Sequence, residues 1–230
     1  MQTTNKSWYK RWWGIIIILF LSFVIIFFIA FFIYVFNNPK DFNNSNSNNI
    51  SKNISYYEND EQRLLIEGSD NYWTGSVKPK ITIVEFADFN CPYCKNSYSK
   101  IREISLNYKD KIKYIYRDLP ILENSEYLSM SARCAGEQGL FWLMHDKLFQ
   151  NKSLDYEKVL NLAIQIGADE NKFIKCLNSS KYLNKIKKDI SDANSLNINQ
   201  TPVWFINGYK ISGDIPLDIF NKIIEDLLIS

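Results

Sequence analysis

Apolar and polar positions divide the chain into three stretches of different texture. Residues 14–36 hold no charged side chain and are almost wholly Ile, Phe, Leu and Val. At about 1.5 Å of rise per residue, such a run reaches the roughly 30 Å of a bilayer's hydrocarbon core. It has no polar stripe at helical spacing, which speaks against a buried helix of a soluble domain. It predicts one N-terminal transmembrane helix. Residues 37–53 then turn polar, with eight Asn and three Ser, leaving too little apolar surface to pack. Beyond them the pattern alternates between short β-branched runs and amphipathic helical stretches, which predicts an α/β domain.

Within that domain, residues 81–86 are rich in β-branched side chains and predict a buried strand. A helix follows from Pro92 to about Tyr108; Pro92 suits a first helical turn, where its missing N–H costs nothing. Residues 111–117 predict a second strand, ended by Leu119-Pro120. Residues 124–198 predict consecutive helices, broken near Gly139, around 151–153 and at Gly167, where Asp169 can cap the next helix. Residues 203–206 and 209–212 flank Asn207-Gly208, the preferred two-residue hairpin turn. Pro216 opens an amphipathic C-terminal helix with Ile219, Phe220, Ile223, Ile224 and Leu227 on one side.

Charge then orients the apolar run. Lys6, Lys10 and Arg11 precede it, with Trp8, Tyr9, Trp12 and Trp13 as interfacial aromatics, while little net charge follows it. The positive-inside rule therefore expects residues 1–13 in the cytoplasm, 14–36 as the anchor and 37–60 as a polar linker, with a folded domain over 61–230. The expected location is a single-pass protein of the cytoplasmic (inner) membrane, its domain on the periplasmic or extracellular side. A cleaved signal peptide is the competing reading. Its apolar core is only about 7–15 residues long and ends at small residues, and this run is longer with no such site after it. The uncleaved anchor is favoured.

Composition narrows the chemistry. The formal net charge is +2, from 27 basic and 25 acidic residues, which gives no electrostatic footprint for nucleic acid. A single histidine, His145, excludes a multi-histidine metal site and reads as an ordinary helix residue. Four cysteines remain, at 91, 94, 134 and 176. Beyond an anchor they would meet an oxidising compartment.

Cys91-Pro92-Tyr93-Cys94 stands between a predicted strand and a predicted helix. At a helix start, the first sulfur meets unpaired backbone N–H groups and the positive end of the helix dipole. Both favour the thiolate, so Cys91 is the candidate nucleophile and Cys94 the resolving thiol, acting through a mixed disulfide. Two other readings compete. Half a zinc site shares the spacing, but Cys134, Cys176 and His145 form no second C-x-x-C or H-x-x-x-H. An inert disulfide ignores the strand–motif–helix placement. No metal or cofactor is expected.

Residues 84–94, the helical stretch, and Thr201-Pro202-Val203 together resemble the DsbA-like thioredoxin-fold oxidoreductases, in the extracytoplasmic branch of DsbG- and BdbD-type proteins. The resemblance covers roughly residues 75–228. It implies a thioredoxin fold with an all-helical insertion over about 120–198. It also implies that Cys91 attacks, that Cys94 resolves, and that Thr201-Pro202 is a cis-proline loop facing them. Pro92 and Tyr93, which flank the sulfur, would tune reactivity and substrate contact. Glu85 lies inside a strand that otherwise reads as buried. The resemblance implies a buried acid near the resolving cysteine, with Lys113 as candidate partner; an outward-facing strand residue is the alternative.

Cys134 and Cys176 both lie in the helical block at apolar positions. Two buried free thiols are one reading. An oxidising compartment favours a structural disulfide between them.

The expected activity is a disulfide oxidase that acts on cysteine-containing exported proteins and is re-oxidised by a membrane partner of the DsbB or VKOR type. A reductase or isomerase kept reduced by a membrane donor is the alternative, and Thr before Pro202 leans toward it. A non-redox chaperone using the same groove would not need two thiols.

Overall fold

The computed structural model describes residues 12–37 and 59–229. The expected cytoplasmic segment and polar linker lie almost wholly outside the described residues. Helix α1 spans Trp12–Asn37. Its described side chains, at 16 and 19–30, are mostly exposed and apolar except Ser22, whose hydroxyl donates to the Leu19 carbonyl at 2.8 Å. Over residues described in full, no helix is long and apolar enough to cross a membrane. The anchor therefore remains an expectation carried by the sequence.

The domain begins with α2 (Asp60–Glu67), capped by Asn59, whose side chain accepts from the Gln62 N–H. Next come β1 (Trp73–Gly75), β2 (Ile81–Ala87), α3 (Pro92–Asn107) and β3 (Ile112–Asp118). A helical block follows: α4 (Ser125–Gly136), α5 (Phe141–Gln150), α6 (Tyr156–Gln165), α7 (Glu170–Asn178) and α8 (Leu183–Ser195). Strands β4 (Val203–Ile206) and β5 (Tyr209–Ser212) and helix α9 (Leu217–Ile229) complete it. Asp155 and Asp169 cap α6 and α7 by accepting the N–H groups of Lys158 and Lys172. Both satisfy donors that a helix start leaves unpaired.

The strands form one sheet in the order β1-β3-β2-β4-β5. Strands β2 and β3 run parallel, while β1, β4 and β5 each pair antiparallel to a neighbour. The short β1 and α2 are absent from the sequence expectation. A three-residue strand carries no readable alternation, and α2 buries only Ile66.

Side chains alternate across the sheet, as the pleat requires. Ile81 and Ile83 pack with Ile101 and Ile104 of α3 and with Phe220 and Ile224 of α9. Val84 and Phe86 point the other way, to Ile66, Ala193 and Ile198. Burial on both faces explains why β2 reads as a continuous apolar run. In α9 the apolar side is narrower than expected: Phe220 and Ile224 are buried, but Ile219 is 47% exposed. The helix turns that residue past the edge of the sheet's cover.

At the end of β3, Arg117 and Arg133 are buried among Asp118, Asp189 and Asp192. Arg117 also donates to the carbonyls of Leu65 and Ile66, so one guanidinium ties α2, β3 and α8 together. Nothing in the sequence pattern announces this network, because charged residues on amphipathic helices ordinarily face water.

Candidate active site

Strand β2 delivers the chain to the site and α3 starts there, with Cys91 at its N-cap and Pro92 in the first turn. Asp88 fixes the turn between them. Its backbone carbonyl accepts the Cys91 N–H at 3.1 Å. Its buried carboxylate takes Asn90 N at 2.7 Å and Ser125 Oγ at 2.5 Å on one oxygen. The other oxygen takes Ile121 N and Leu122 N, each at 2.9 Å. Asp88 thus binds the cysteine turn to the loop after β3, a role the sequence reading missed. The only available signal was an Asp three residues before a helix N-cap.

Cys91 and Cys94 are both free thiols here. Cys91 is 5% exposed and Cys94 wholly buried, so of the two cysteines only the first meets solvent. Tyr93 between them is 62% exposed and lies on the outer surface of the turn. Across from the cysteines, the Thr201–Pro202 peptide is cis. The Cys91 thiol donates to the Thr201 carbonyl at 3.4 Å. The loop is held by the Gly213 N–H, which donates to the Pro202 carbonyl at 2.8 Å.

Ionisation divides the two thiols. The Cys91 thiol is lowered to about 6, first because the Cys94 thiol donates to its sulfur. Burial opposes this, while the Thr201 hydroxyl and the backbone N–H groups of Cys94 and Tyr93 assist it. With Cys91 as a thiol, Thr201 Oγ1 has no hydrogen-bond partner within the protein; ionisation of the sulfur gives its hydroxyl one. Cys94 moves the other way. Burial raises its thiol, reinforced by its bond to Cys91 and by the charge of Glu85. One thiol is poised to attack, the other keeps its proton.

Glu85 is 1% exposed and shares the apolar side of β2 with Ile83. Lys113 is not its partner: that ammonium lies 5.0 Å over the Trp73 ring. Successive strand residues face opposite sides. The next residue, Tyr114, is the one that reaches Glu85, and its hydroxyl donates to Oε2. Glu85 Oε1 has no partner. Burial raises the carboxyl to about 8, the Tyr114 bond opposes this, and the Cys91 charge adds to it.

His145 lies in α5, a helix residue as expected, and is buried there. It is 2% exposed and enclosed by Phe89, Tyr116, Phe149 and Trp142, with ring centroids 4.9–5.8 Å away. Cys134 of α4 and Cys176 of α7 form a disulfide, with Cα atoms 5.7 Å apart. Both belong to the apolar cluster that also contains Cys91 and Cys94. The structure therefore groups Cys91, Cys94, Glu85, Thr201 and Pro202 in one site and places the second cysteine pair in the helical block.

A family model described as Thioredoxin matches residues 68–226. The chain is 32% identical over 143 residues to a Na(+)/H(+) antiporter NhaA 3 of Salinispora tropica, covering 60% of this chain and 22% of that protein. The chain thus spans under a quarter of that relative's length. Among solved structures, the thiol-disulfide exchange protein alpha-DsbA2 from Wolbachia pipientis is similar with a TM-score of 0.69 and 24% identity. The match covers 80% of this chain and all of that one. Alpha-DsbA1 from the same organism has a TM-score of 0.62 and 26% identity, covering 72% of this chain and 94% of that one.

Proposed function

Because the chain belongs to the thioredoxin family, in its DsbA-like group, we propose that it is a membrane-anchored, extracytoplasmic protein disulfide oxidoreductase acting through Cys91 and Cys94. One observation carries the proposal: the nearly buried Cys91 sulfur, lowered to about 6, lies against Thr201 while Cys94 beneath it keeps its proton.

In the oxidising direction a substrate thiolate attacks Cys91 Sγ of the Cys91–Cys94 disulfide, and the electron pair leaves on Cys94. A second substrate thiolate then attacks the substrate sulfur of the mixed disulfide, expelling Cys91 as a thiolate. The substrate leaves oxidised and the enzyme reduced. A low leaving-group pKa speeds that expulsion. Glu85, held on Tyr114, supports a role in moving the proton of Cys94. Cysteine-containing exported proteins are the proposed substrates, with a membrane quinone-linked partner of the DsbB or VKOR type as electron acceptor. The uncharged run 14–36 and the basic residues before it support the single-pass anchor and the outward domain.

A reductase or isomerase is the second reading, favoured by Thr201, whose hydroxyl stands beside the Cys91 sulfur. Direction follows from the reduction potential, which equilibration of the Cys91–Cys94 pair in glutathione buffers measures. A value near about −120 mV supports the oxidase, and one near about −270 mV moves the assignment to a reductase.

A further inference from the structure

One turn beyond Cys94 on α3 stands Ser97, which is 2% exposed. A buried hydroxyl is costly without a partner, and this one reaches far along the chain for its own. Ser97 Oγ donates to Asp214 Oδ1 at 2.6 Å. Lys100 Nζ, also on α3, donates to the same oxygen at 2.6 Å. An Asp three residues before a helix, as Asp214 is before α9, ordinarily serves that helix start. Its Oδ1 serves α3 instead. Hydrogen bonds to an ionised acceptor are roughly twice as strong as neutral ones, which makes this a firm tie between segments 114 and 117 positions apart.

The turn that carries Asp214 also holds the other half of the site. Gly213, the residue before it, donates its N–H to the Pro202 carbonyl at 2.8 Å. The Gly213 carbonyl accepts from Trp204 Nε1 at 2.9 Å. Trp204 is wholly buried and packs edge-on against Phe220, with ring centroids 5.4 Å apart. A φ of 92° at Gly213, which glycine adopts freely, turns one residue toward both partners. The ladder between β2 and β4 begins at Val203, so it holds the Thr201–Pro202 loop from one side only. The Gly213 turn holds it from another. A closed ring results. The Thr201 carbonyl takes the Cys91 thiol, the Pro202 carbonyl takes Gly213, and Asp214 takes Ser97 and Lys100 of the helix that starts at Cys91.

We infer that Asp214 is a positioning residue of the exchange site: by tying the Gly213 turn to α3, it holds the Thr201–Pro202 loop against the Cys91 sulfur. The inference rests on the oxidoreductase reading above, because the gap it sets matters only where Cys91 is the exchanging sulfur. Its action is indirect, through the bond between Gly213 and Pro202. After the Cys94 thiol, burial and the Thr201 hydroxyl bear on Cys91, burial against its thiolate and the hydroxyl for it. Loosening the loop changes these two unequally. A hydrogen bond fails within about 1 Å of added length, whereas a water molecule needs about 2.8 Å of clearance. The thiolate therefore loses a donor before water replaces it.

The pH profile of Cys91 alkylation tests the inference in the reduced full chain, with iodoacetamide as reagent and the Cys91 peptide followed by mass. Asp214→Ala should raise the midpoint from near 6 by about one pH unit, the size of one lost hydrogen bond to a thiolate. Asp214→Asn keeps an oxygen that accepts from Ser97 and Lys100 and loses only the charge, so it should restore the wild-type midpoint. Charge acting through space would do the opposite, because an anion near a thiol raises its pKa and losing it lowers the midpoint. A merely structural role would leave the midpoint of the folded variant where it was. The inference is overturned if Asp214→Ala leaves the midpoint unchanged or lowers it, or if Asp214→Asn shifts it as far as Ala does. Should Asp214→Ala fail to fold, Ser97→Ala decides in its place, since it removes one donor of the tie without changing charge. An upward shift is expected there, and an unchanged or lowered midpoint overturns the inference. A wild-type midpoint near about 8.5 would instead bring down the oxidoreductase site itself, and Asp214's role with it.

Discussion

Cys91 Sγ lies 3.4 Å from the carbonyl oxygen of Thr201, 110 positions further along the chain. Two structural facts produce that contact. Strand β2 pairs antiparallel with β4 in the register Phe86↔Val203, which sets the start of β4 beside the turn that leaves β2. Asp88 then fixes that turn so that the helix starts at Cys91. A sheet register and a buried carboxylate therefore set the surroundings of the sulfur, and those surroundings set its chemistry.

The first expected consequence is a pH profile. Alkylation of reduced protein by iodoacetamide should follow Cys91 ionisation with a midpoint near pH 6, against about 8.5 for a free thiol. The depressed folded value also has a stability signature. Its contribution is present in full above the unfolded value of about 8.5 and falls away as pH drops through about 6. Reduced protein should therefore gain stability over oxidised protein between pH 6 and 8.5, as thermal melts of both forms would show. A midpoint near 8.5 contradicts the ionisation assigned to this site.

The second concerns Cys134–Cys176, which closes a loop with a sequence separation of 42. In the chain-entropy model, removing such a crosslink costs about 4 kcal/mol. C134A/C176A should unfold at clearly lower urea while Cys91 keeps its alkylation midpoint. In an oxidised C91S/C94S sample, intact mass after alkylation should show no labelled thiol. Two labels would mean the pair is free.

The sequence made parts of this site readable and hid others for physical reasons. The hairpin at Asn207-Gly208 lies where the turn chemistry put it, because two successive positive φ values, 49° and 85°, strongly restrict residue choice. The C-x-x-C pair is readable because helix geometry alone brings its sulfurs together. Tyr114 is different. Its pairing with Glu85 depends on which residue of β3 faces the same side as Glu85, a matter of register between strands 29 residues apart. Lys113, its sequence neighbour, was the natural ion-pair candidate and points away. His145 looked ordinary because a lone histidine in an apolar helix carries no pattern; its aromatic enclosure comes from α3, β3 and α5 packing together.

The third follows from the buried charges behind β3. Asp189 accepts from Arg117 at 3.0 Å and from Arg133 at 2.8 Å, all three wholly or almost wholly buried. Such pairs add little over well-packed apolar groups, but removing one partner strands the others. Asp189→Ala should cost about 3 kcal/mol, at the lower end of the usual range, since Asp118 and Asp192 still hold one guanidinium each. Urea denaturation measures the loss. The ion pairs of the network include no residue of the cysteine site, so Cys91 should keep its alkylation midpoint in the folded variant. A neutral effect on stability would mean that water reaches these guanidinium groups.

The fourth sets stability against function at Glu85. Its folded carboxyl is raised to about 8, chiefly by burial, while an unfolded glutamate titrates near about 4.3. A raised folded value means that the native state holds its proton where the unfolded state has lost it. The protein is then penalised increasingly as pH climbs from about 4.3 to about 8, where the buried carboxyl finally ionises. Glu85→Gln removes the titration and keeps an oxygen for the Tyr114 hydroxyl. Its stabilising effect should be near zero at pH 4.5 and reach a few kcal/mol at pH 8, by the linkage of about 1.4 kcal/mol per pH unit. Denaturation of both proteins at the two pH values tests this. Equal effects at both would show that burial does not hold the proton on Glu85. A gain in stability that grows with pH would show an acid kept, at a cost in stability, beside the buried Cys94 thiol.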